Sequence, residues 1–229
     1  MLQDSAMTYI INLDKDDKKR TTILAELSGV IEPVEVVSAI YGPDLPAREY
    51  FRYVKNENPS FGGRHILTPA EVGCFLSHRK VLTRFIEESE CEWLIVLEDD
   101  VSPLLPEIQS FGEMDLSSLS KTGLYILGGQ DGLDCEERFL LSPFSQNSTN
   151  FRRVVPFTER WLFRTCCYLI HRYSAKSLLS LLNTSSFIVD DWRYIVRNTT
   201  IERIYYHKFF SHPIDLSGSE IERERNLIG

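Results

Sequence analysis

The chain has 229 residues, with 43% hydrophobic and 25% charged, the balance of a soluble globular protein able to bury a sizeable core. A net charge of -8 and a pI near 5.2 argue against a nucleic-acid binder, which would show a basic average. No run approaches the roughly 18 apolar residues that span a bilayer.

A strand pattern, Thr8 to Leu13, comes first, followed by the charged run DKDDKKR and a helix pattern from Thr21 to Ser28. The first residues lack a basic start and an apolar stretch, so no signal segment is expected and a cytoplasmic location is. None of the five cysteines forms a CxxC pair, which favours small buried hydrophobes over disulfides or metal ligands. The sequons at Asn147, Asn183 and Asn198 are expected to be unused.

A second strand is predicted at Val34 to Ile40, then a long loop from Tyr41 to His65, rich in Pro, Gly and aromatics. Long loops in compact domains are usually functional or disordered, and the aromatic content favours function. Its Tyr50, Phe51, Tyr53 and Phe61 could stack on a ligand ring or simply anchor the loop in a core.

The stretch LTPAEVGCFLSHRKVLTRFIEES starts with a capping box, Thr68 with Glu71, and carries Pro69 at the first helical position. Val72, Phe75, Leu76, Leu82 and Ile86 give it one apolar face, and Cys74, Val81 and Phe85 a second. Gly73 costs such a helix about 1 kcal/mol relative to alanine, which a close packing contact would explain.

Next, Trp93 to Leu97 runs straight into Glu98, Asp99 and Asp100. The unbroken apolar run suits a strand buried on both faces of a mainly parallel sheet. Ligands in such sheets bind beyond the carboxyl ends of strands, where these acids fall. Strand alternation would let Glu98 and Asp100 converge while Asp99 points away. Converging carboxylates repel unless a cation joins them, and Mg²⁺ or Mn²⁺ would suit oxygen ligands and a phosphate-bearing ligand. A solvated turn or a helix cap explains the same acids without any ligand.

A further strand, Gly123 to Leu127, ends in LGGQDG, either a tight turn or a close approach of backbone to ligand. Residues 133 to 160 read as irregular and polar. Thr165 to Ile170 is strand-like, and Ser174 to Leu182 helical. Asp190 and Asp191 precede Trp192 and a short helix, as N-caps or as a general base near a substrate hydroxyl. His78, on a mostly apolar helix, reads as a core histidine by default. His212 is a more available but weakly supported metal ligand. Strand patterns recur at Ile201 to Tyr206 and near Phe209, and the polar tail IERERNLIG is expected to fray. Alternating strands and helices indicate an α/β domain with a mainly parallel sheet flanked by helices.

In their order and spacing, YIINLDKDDKKR, LTPAEVGCFLSHRKVL, WLIVLEDDV, CCYLIHRYSAKSLL and VDDW resemble glycosyltransferase family 25. The likeness is to its bacterial lipopolysaccharide and lipooligosaccharide branch, which is related to the collagen galactosyltransferases. It covers most of residues 8 to 195, and EVGCFLSH followed by LEDD is its most specific part. The resemblance implies a single GT-A type, Rossmann-like domain, with a donor part near 8–130 and an acceptor part near 131–215. It further implies a UDP-sugar donor, usually UDP-galactose, Mn²⁺ or Mg²⁺, and inversion at the anomeric carbon. The acceptor would be a saccharide, lipid-linked in this branch, reached with peripheral membrane contact.

On this chain the resemblance implies that Glu98, Asp99 and Asp100 form a DxD-like motif gripping metal and donor diphosphate. Asn12, Arg20, Glu71, Ser77 and His78 would lie at or brace the nucleotide pocket. Asp191, then Asp190, would be the base. The matching weakens after residue 200, so His212 is the candidate for a late metal ligand. An inactive glycan- or nucleotide-binding relative is the main alternative. A receiver-type signalling domain fits less well, because its acid pair belongs near the start of a shorter chain, before a later Asp and Lys that are missing here.

Overall fold

The computed structural model describes residues 5–59, 63–133, 137–146 and 149–228. Phe61 and the Asn147 sequon lie outside them.

The expected α/β class is what the chain adopts, around one nine-stranded sheet of order β2-β1-β3-β8-β5-β9-β7-β6. Strand β1 (Ala6–Asn12) pairs in parallel with β2 (Val34–Ser38) and β3 (Trp93–Glu98). Strand β5 (Gly123–Gly128) pairs in parallel with β9 (Arg203–Ser211), and β8 (Cys167–His171) runs antiparallel between β3 and β5. At the far edge β6 (Leu141–Ser145) and β7 (Arg152–Val154) pair antiparallel, β7 bordering β9. Two-residue β4 (Ser102–Pro103) pairs antiparallel with β9. Strands β1, β2, β3, β5, β6 and β9 thus point one way, and β4, β7 and β8 the other.

Helices cover both faces, as the apolar run of β3 requires. Leu94 and Val96 face a core built with α3 (Pro69–Glu88), α5 (Arg172–Thr184) and α6 (Trp192–Asn198). Trp93, Ile95 and Leu97 face the opposite core, with α1 (Asp17–Leu27) and α4 (Glu107–Gly112). The capping box of α3 is formed in both directions, and a Cβ on Gly73 would lie 2.6 Å from Gly42 N and Ile40 O. Glycine is therefore needed there, because backbone crosses the helix at van der Waals contact.

Three segments are more ordered than their composition suggests. Within the 41–65 stretch, α2 (Ala47–Tyr53) forms after Pro46. Tyr50 and Tyr53 pack on the core; the Tyr50 hydroxyl donates to Leu67 O (2.8 Å), and the Tyr53 oxygen accepts from Arg79 Nη1 (2.8 Å). Phe51 stays exposed. The 133–160 stretch supplies β6 and β7, held by pairing at a sheet edge rather than by strand propensity. The expected frayed tail is instead α7 (Glu220–Ile228), docked on α3. Its Arg225 Nε donates to the buried Glu71 Oε1 (2.9 Å), and Glu224 Oε2 accepts from Ala70 N (2.7 Å). A polar helix is retained here because the target on α3 is itself a buried charge and an unpaired helix-start N–H.

Candidate active site at the strand ends

The three acids after β3 do not form one cluster. Glu98 is the last strand residue, and the chain turns at Asp99 and Asp100, so strand alternation stops and each carboxylate takes its own direction. Glu98 Oε1 accepts from Thr165 Oγ1 (3.0 Å) and lies 3.3 Å from His78 Nε2. The other ring nitrogen, Nδ1, is 3.2 Å from the Tyr168 hydroxyl, so His78 is buried with both nitrogens engaged. Cys74, one helical turn before His78, completes a group whose ligand-type atoms lie within 4.8 Å of one another.

Asp99 turns the other way, against the first strand. Its Oδ2 accepts from Asn12 Nδ2 (2.7 Å), and Lys19 Nζ sits 3.5 Å from Oδ1. Burial raises the Asp99 pKa, outweighing Lys19 and the Asn12 hydrogen bond, while the neighbouring Asp100 and Glu98 raise it further. Lys19 is held more firmly protonated, because Asp99, Asp100 and Asp16 outweigh its own desolvation.

Asp100 faces the late loop. Its Oδ2 lies 3.5 Å from His212 Nε2, and its Oδ1 is buried with no hydrogen-bond partner. Burial alone would raise its pKa, but hydrogen bonding and charge interaction with His212 lower it. His212 is fixed from its other side: Nδ1 is 2.8 Å from Pro213 O, and its backbone N–H donates to Asp131 Oδ2 (3.0 Å). Asp131 in turn pairs with Lys208. With Nδ1 donating to a carbonyl, Nε2 is the ring nitrogen that faces the Asp100 carboxylate, and a cation between the two would take the place of the Nε2 proton. The orphan Asp100 Oδ1 and the fixed His212 ring offer one oxygen and one imidazole donor, a pair that fits a divalent cation completed by ligand oxygens. Glu98 is engaged elsewhere, with His78 and Thr165.

The downstream acids separate into two roles. Asp191 caps α6, its Oδ1 accepting from Tyr194 N (3.0 Å), and its Oδ2 accepts from Asn58 Nδ2 (2.5 Å). Asp190 Oδ2 accepts from Arg164 N (2.7 Å), but its Oδ1 is buried without a hydrogen-bond partner. Burial raises the pKa of both acids. For Asp190 the strongest opposing influence is the Arg225 charge, and for Asp191 it is the cap hydrogen bond from Tyr194. Arg164 holds its backbone at φ +62, an uncommon conformation for a side-chain-bearing residue, while its Nη1 donates to Gly129 O (2.7 Å) and Asp131 O (3.1 Å). Arg164 therefore ties the β5 loop to the acid pair.

The remaining sequence candidates are placed as follows. Glu71 is a brace, accepting from Thr68 N (2.8 Å), both terminal nitrogens of Arg64 and Arg225 Nε. Ser77 links α3 to the β2 exit, donating to Gly73 O (2.7 Å) and accepting from Ile40 N (2.8 Å). Arg20 pairs with Asp17 on the outer face of α1, and its neighbour Lys19 is the cation at the strand tips. In LGGQDG, the close approaches are internal: a Cβ on Gly128 would meet Phe210 O at 2.0 Å, and one on Gly129 would meet Cys166 Sγ at 2.1 Å. Composition did not single out Lys19, Cys74, Asn58, Arg164, Thr165 or Arg225, since each is brought in by the turn geometry of a distant segment.

The sequence pattern described as glycosyltransferase family 25 (LPS biosynthesis protein) matches residues 6–192. The chain belongs to glycosyltransferase family 25. A "Glycosyltransferase 25 family member" of Anopheles gambiae is 31% identical over 97 residues, 41% of this family 25 chain and 16% of the relative. The match therefore spans about a sixth of that relative's length. Among solved structures, a glycosyltransferase involved in glycosylation of the major capsid of PBCV-1 aligns over 98% of both chains, at 10% identity and a TM-score of 0.49. The galactosyltransferase LgtC, solved with donor and acceptor sugar analogues, aligns over 96% of this chain and 94% of its own at 12% identity, TM-score 0.39. Family membership accords with the α/β architecture, a mixed sheet with six of its nine strands pointing one way, flanked by helices and with acids at its strand tips. No helix among the described residues is long and apolar enough to cross a membrane.

Proposed function

We propose that this family 25 transferase moves a hexose, galactose first among the candidates, from a UDP-sugar to a saccharide acceptor with inversion. The acceptor fits lipopolysaccharide, lipooligosaccharide or a similar surface glycan. The observation that carries the reading is Asp100, whose buried unpartnered Oδ1 and His212-facing Oδ2 sit at the tip of β3. Asp100 and His212 would hold Mn²⁺ or Mg²⁺, which when bound supplies Lewis-acid stabilisation of the departing diphosphate. Lys19 adds a second positive charge at the strand tips, and Asn12 orients Asp99. Glu98 orders His78 and Thr165 beside the tip of β3.

Asp190 is favoured over Asp191 as the base. Both oxygens of Asp191 are committed to the α6 cap and Asn58, whereas Asp190 keeps Oδ1 available. Asp190 Oδ1 would take the proton of the acceptor hydroxyl as its oxygen attacks the anomeric carbon and the bond to UDP breaks. Burial raises the Asp190 pKa, which makes its carboxylate a stronger base than that of an ordinary aspartate. The test is calorimetric titration with UDP, with Mn²⁺ and with EDTA, followed by a donor-hydrolysis screen across UDP-sugars. Metal-dependent UDP binding and turnover of one donor are expected. Equal UDP binding in EDTA, or no binding under either condition, overturns the reading.

A further inference from the structure

We propose that the β6–β7 edge is a docking face for an anionic lipid surface. Of the eleven large apolar side chains exposed among the described residues, four lie in this one segment: Leu140 (56% exposed), Phe144 (80%), Val155 (36%) and Phe157 (68%). Leu141 and Val154 pair across the two strands and turn inward to the core. The next pair outward, Leu140 and Val155, is joined by a Val155 N–H to Leu140 O bond (2.8 Å) and faces solvent. Phe157 is held out by a backbone at φ +73, one of two non-glycine residues with positive φ among those described. An exposed apolar group of this kind on one small element marks an interaction surface.

Its charge identifies the partner. From Glu137 to Arg164 the chain carries five arginines and two acids, a balance of +3, while the other residues together carry -11 of the net -8. Arg138, Arg152 and Arg160 are exposed. The first and last of these lie over the Trp161 ring, each guanidinium 5.0 Å from its centroid. Arg152 Nε donates to Ser142 O (2.6 Å), which lays its cationic head along the strand pair. Apolar side chains that can enter an acyl boundary, with exposed arginines in the same segment, match a bilayer carrying negative lipids. A second copy of this chain would set the same arginines against one another across a two-fold axis, which like-charge repulsion disfavours. The face also leads directly to the candidate site, since the segment ends at Arg164, whose N–H holds Asp190. Docking here would bring the acceptor side of the enzyme to a lipid-borne saccharide. This deepens the acceptor reading above, yet its test reads lipid binding rather than turnover, so either can fail alone.

The test is co-sedimentation of the full chain with phosphatidylcholine vesicles, with and without phosphatidylglycerol. Binding that requires phosphatidylglycerol and weakens with salt is expected. Arg152→Gln and Arg160→Gln should each weaken it about fivefold. Phe144→Ser with Phe157→Asn, an exchange that tolerates the left-handed backbone at 157, should weaken it on the order of tenfold or more. Circular dichroism and thermal unfolding check that these surface variants keep the fold. No phosphatidylglycerol dependence, or unchanged binding by the double Phe variant, overturns the proposal. So does a wild-type dimer in light scattering that the double Phe variant converts to monomer.

Discussion

Glu71 offers the sharpest test of how the helix motif supports the site. Its side chain is 4% exposed and takes four charged or capping partners: Thr68 N, two nitrogens of Arg64 and Arg225 Nε. Glu71→Gln keeps the shape but turns an amide N–H₂ toward an arginine and removes the charge. Losing one partner of a buried pair costs about 3–5 kcal/mol. Here the arginines are 20% and 34% exposed and regain some hydration, which brings the expectation to about 2–4 kcal/mol. For a chain this long each kcal/mol lowers Tm by about 2–4 °C, so a drop of about 4–16 °C is expected by calorimetry. A double-mutant cycle with Arg225→Ala should show coupling of about 1 kcal/mol or more. The pH dependence has a definite sign. Burial pushes the Glu71 pKa up, but Arg64, Thr68 and Arg225 together bring it below the ordinary glutamate value. A group lowered on folding stabilises above its unfolded pKa, about 4.3, and loses that contribution as pH falls through the lower folded value. Wild type should therefore lose stability more steeply than Glu71→Gln below about pH 4.3. A Tm shift under about 2 °C with no coupling to Arg225 would refute the brace.

Three further substitutions separate the proposed roles. Asp100→Asn should abolish metal-dependent UDP binding while leaving the fold intact by circular dichroism; full transfer activity would sink its metal role. Asp190→Asn should lower kcat by about 10²–10⁴ with UDP binding kept, and the acid limb of the wild-type kcat profile should lie above the ordinary aspartate pKa, because burial raises that of Asp190 and the base must be ionised. Asp191→Ala should instead cost about 1 kcal/mol through loss of the α6 cap and of the Asn58 contact, visible in urea unfolding; a larger loss of kcat than for Asp190→Asn would reverse the two assignments. Gly73→Ala forces a Cβ to 2.6 Å from Gly42 N and Ile40 O, and should destabilise by about 1–3 kcal/mol or more instead of stabilising as it would in an open helix; a raised Tm would contradict that packing.

What could be read in the sequence is what local periodicity encodes. Helix α3, with its capping box and two apolar stripes, and the doubly buried β3 follow from residue order alone, as does the position of the acids at a strand tip. The direction of each carboxylate does not, because the turn at Asp99 and Asp100 breaks strand alternation and distant segments decide what each acid meets. The antiparallel insertion of β8 between β3 and β5 is likewise invisible in a pattern of alternating elements. Helix α7 was hidden for a different reason. Its residues are polar, and what draws Arg225 onto α3, beyond its own-helix pair with Glu222, is the buried Glu71. The aromatic 41–65 stretch misleads in the opposite direction, since Tyr50 and Tyr53 serve packing and only Phe51, among the described candidates, faces solvent.

The arrangement of the three acids shows why an apolar strand can end in them without electrostatic penalty at one point. Glu98, Asp99 and Asp100 diverge to His78 with Thr165, to Lys19 with Asn12, and to His212. Only Asp100 is left with a buried oxygen that nothing in the fold satisfies, and desolvation of that kind persists when a ligand meets it. The same asymmetry recurs at Asp190 and Asp191, where one acid is consumed by structure and the other keeps a buried oxygen unpaired. On the proposed reading, the two carboxylates that each keep one oxygen unsatisfied, Asp100 facing His212 and Asp190 facing the Arg164 backbone, are the ones available for chemistry, and their neighbours hold the fold.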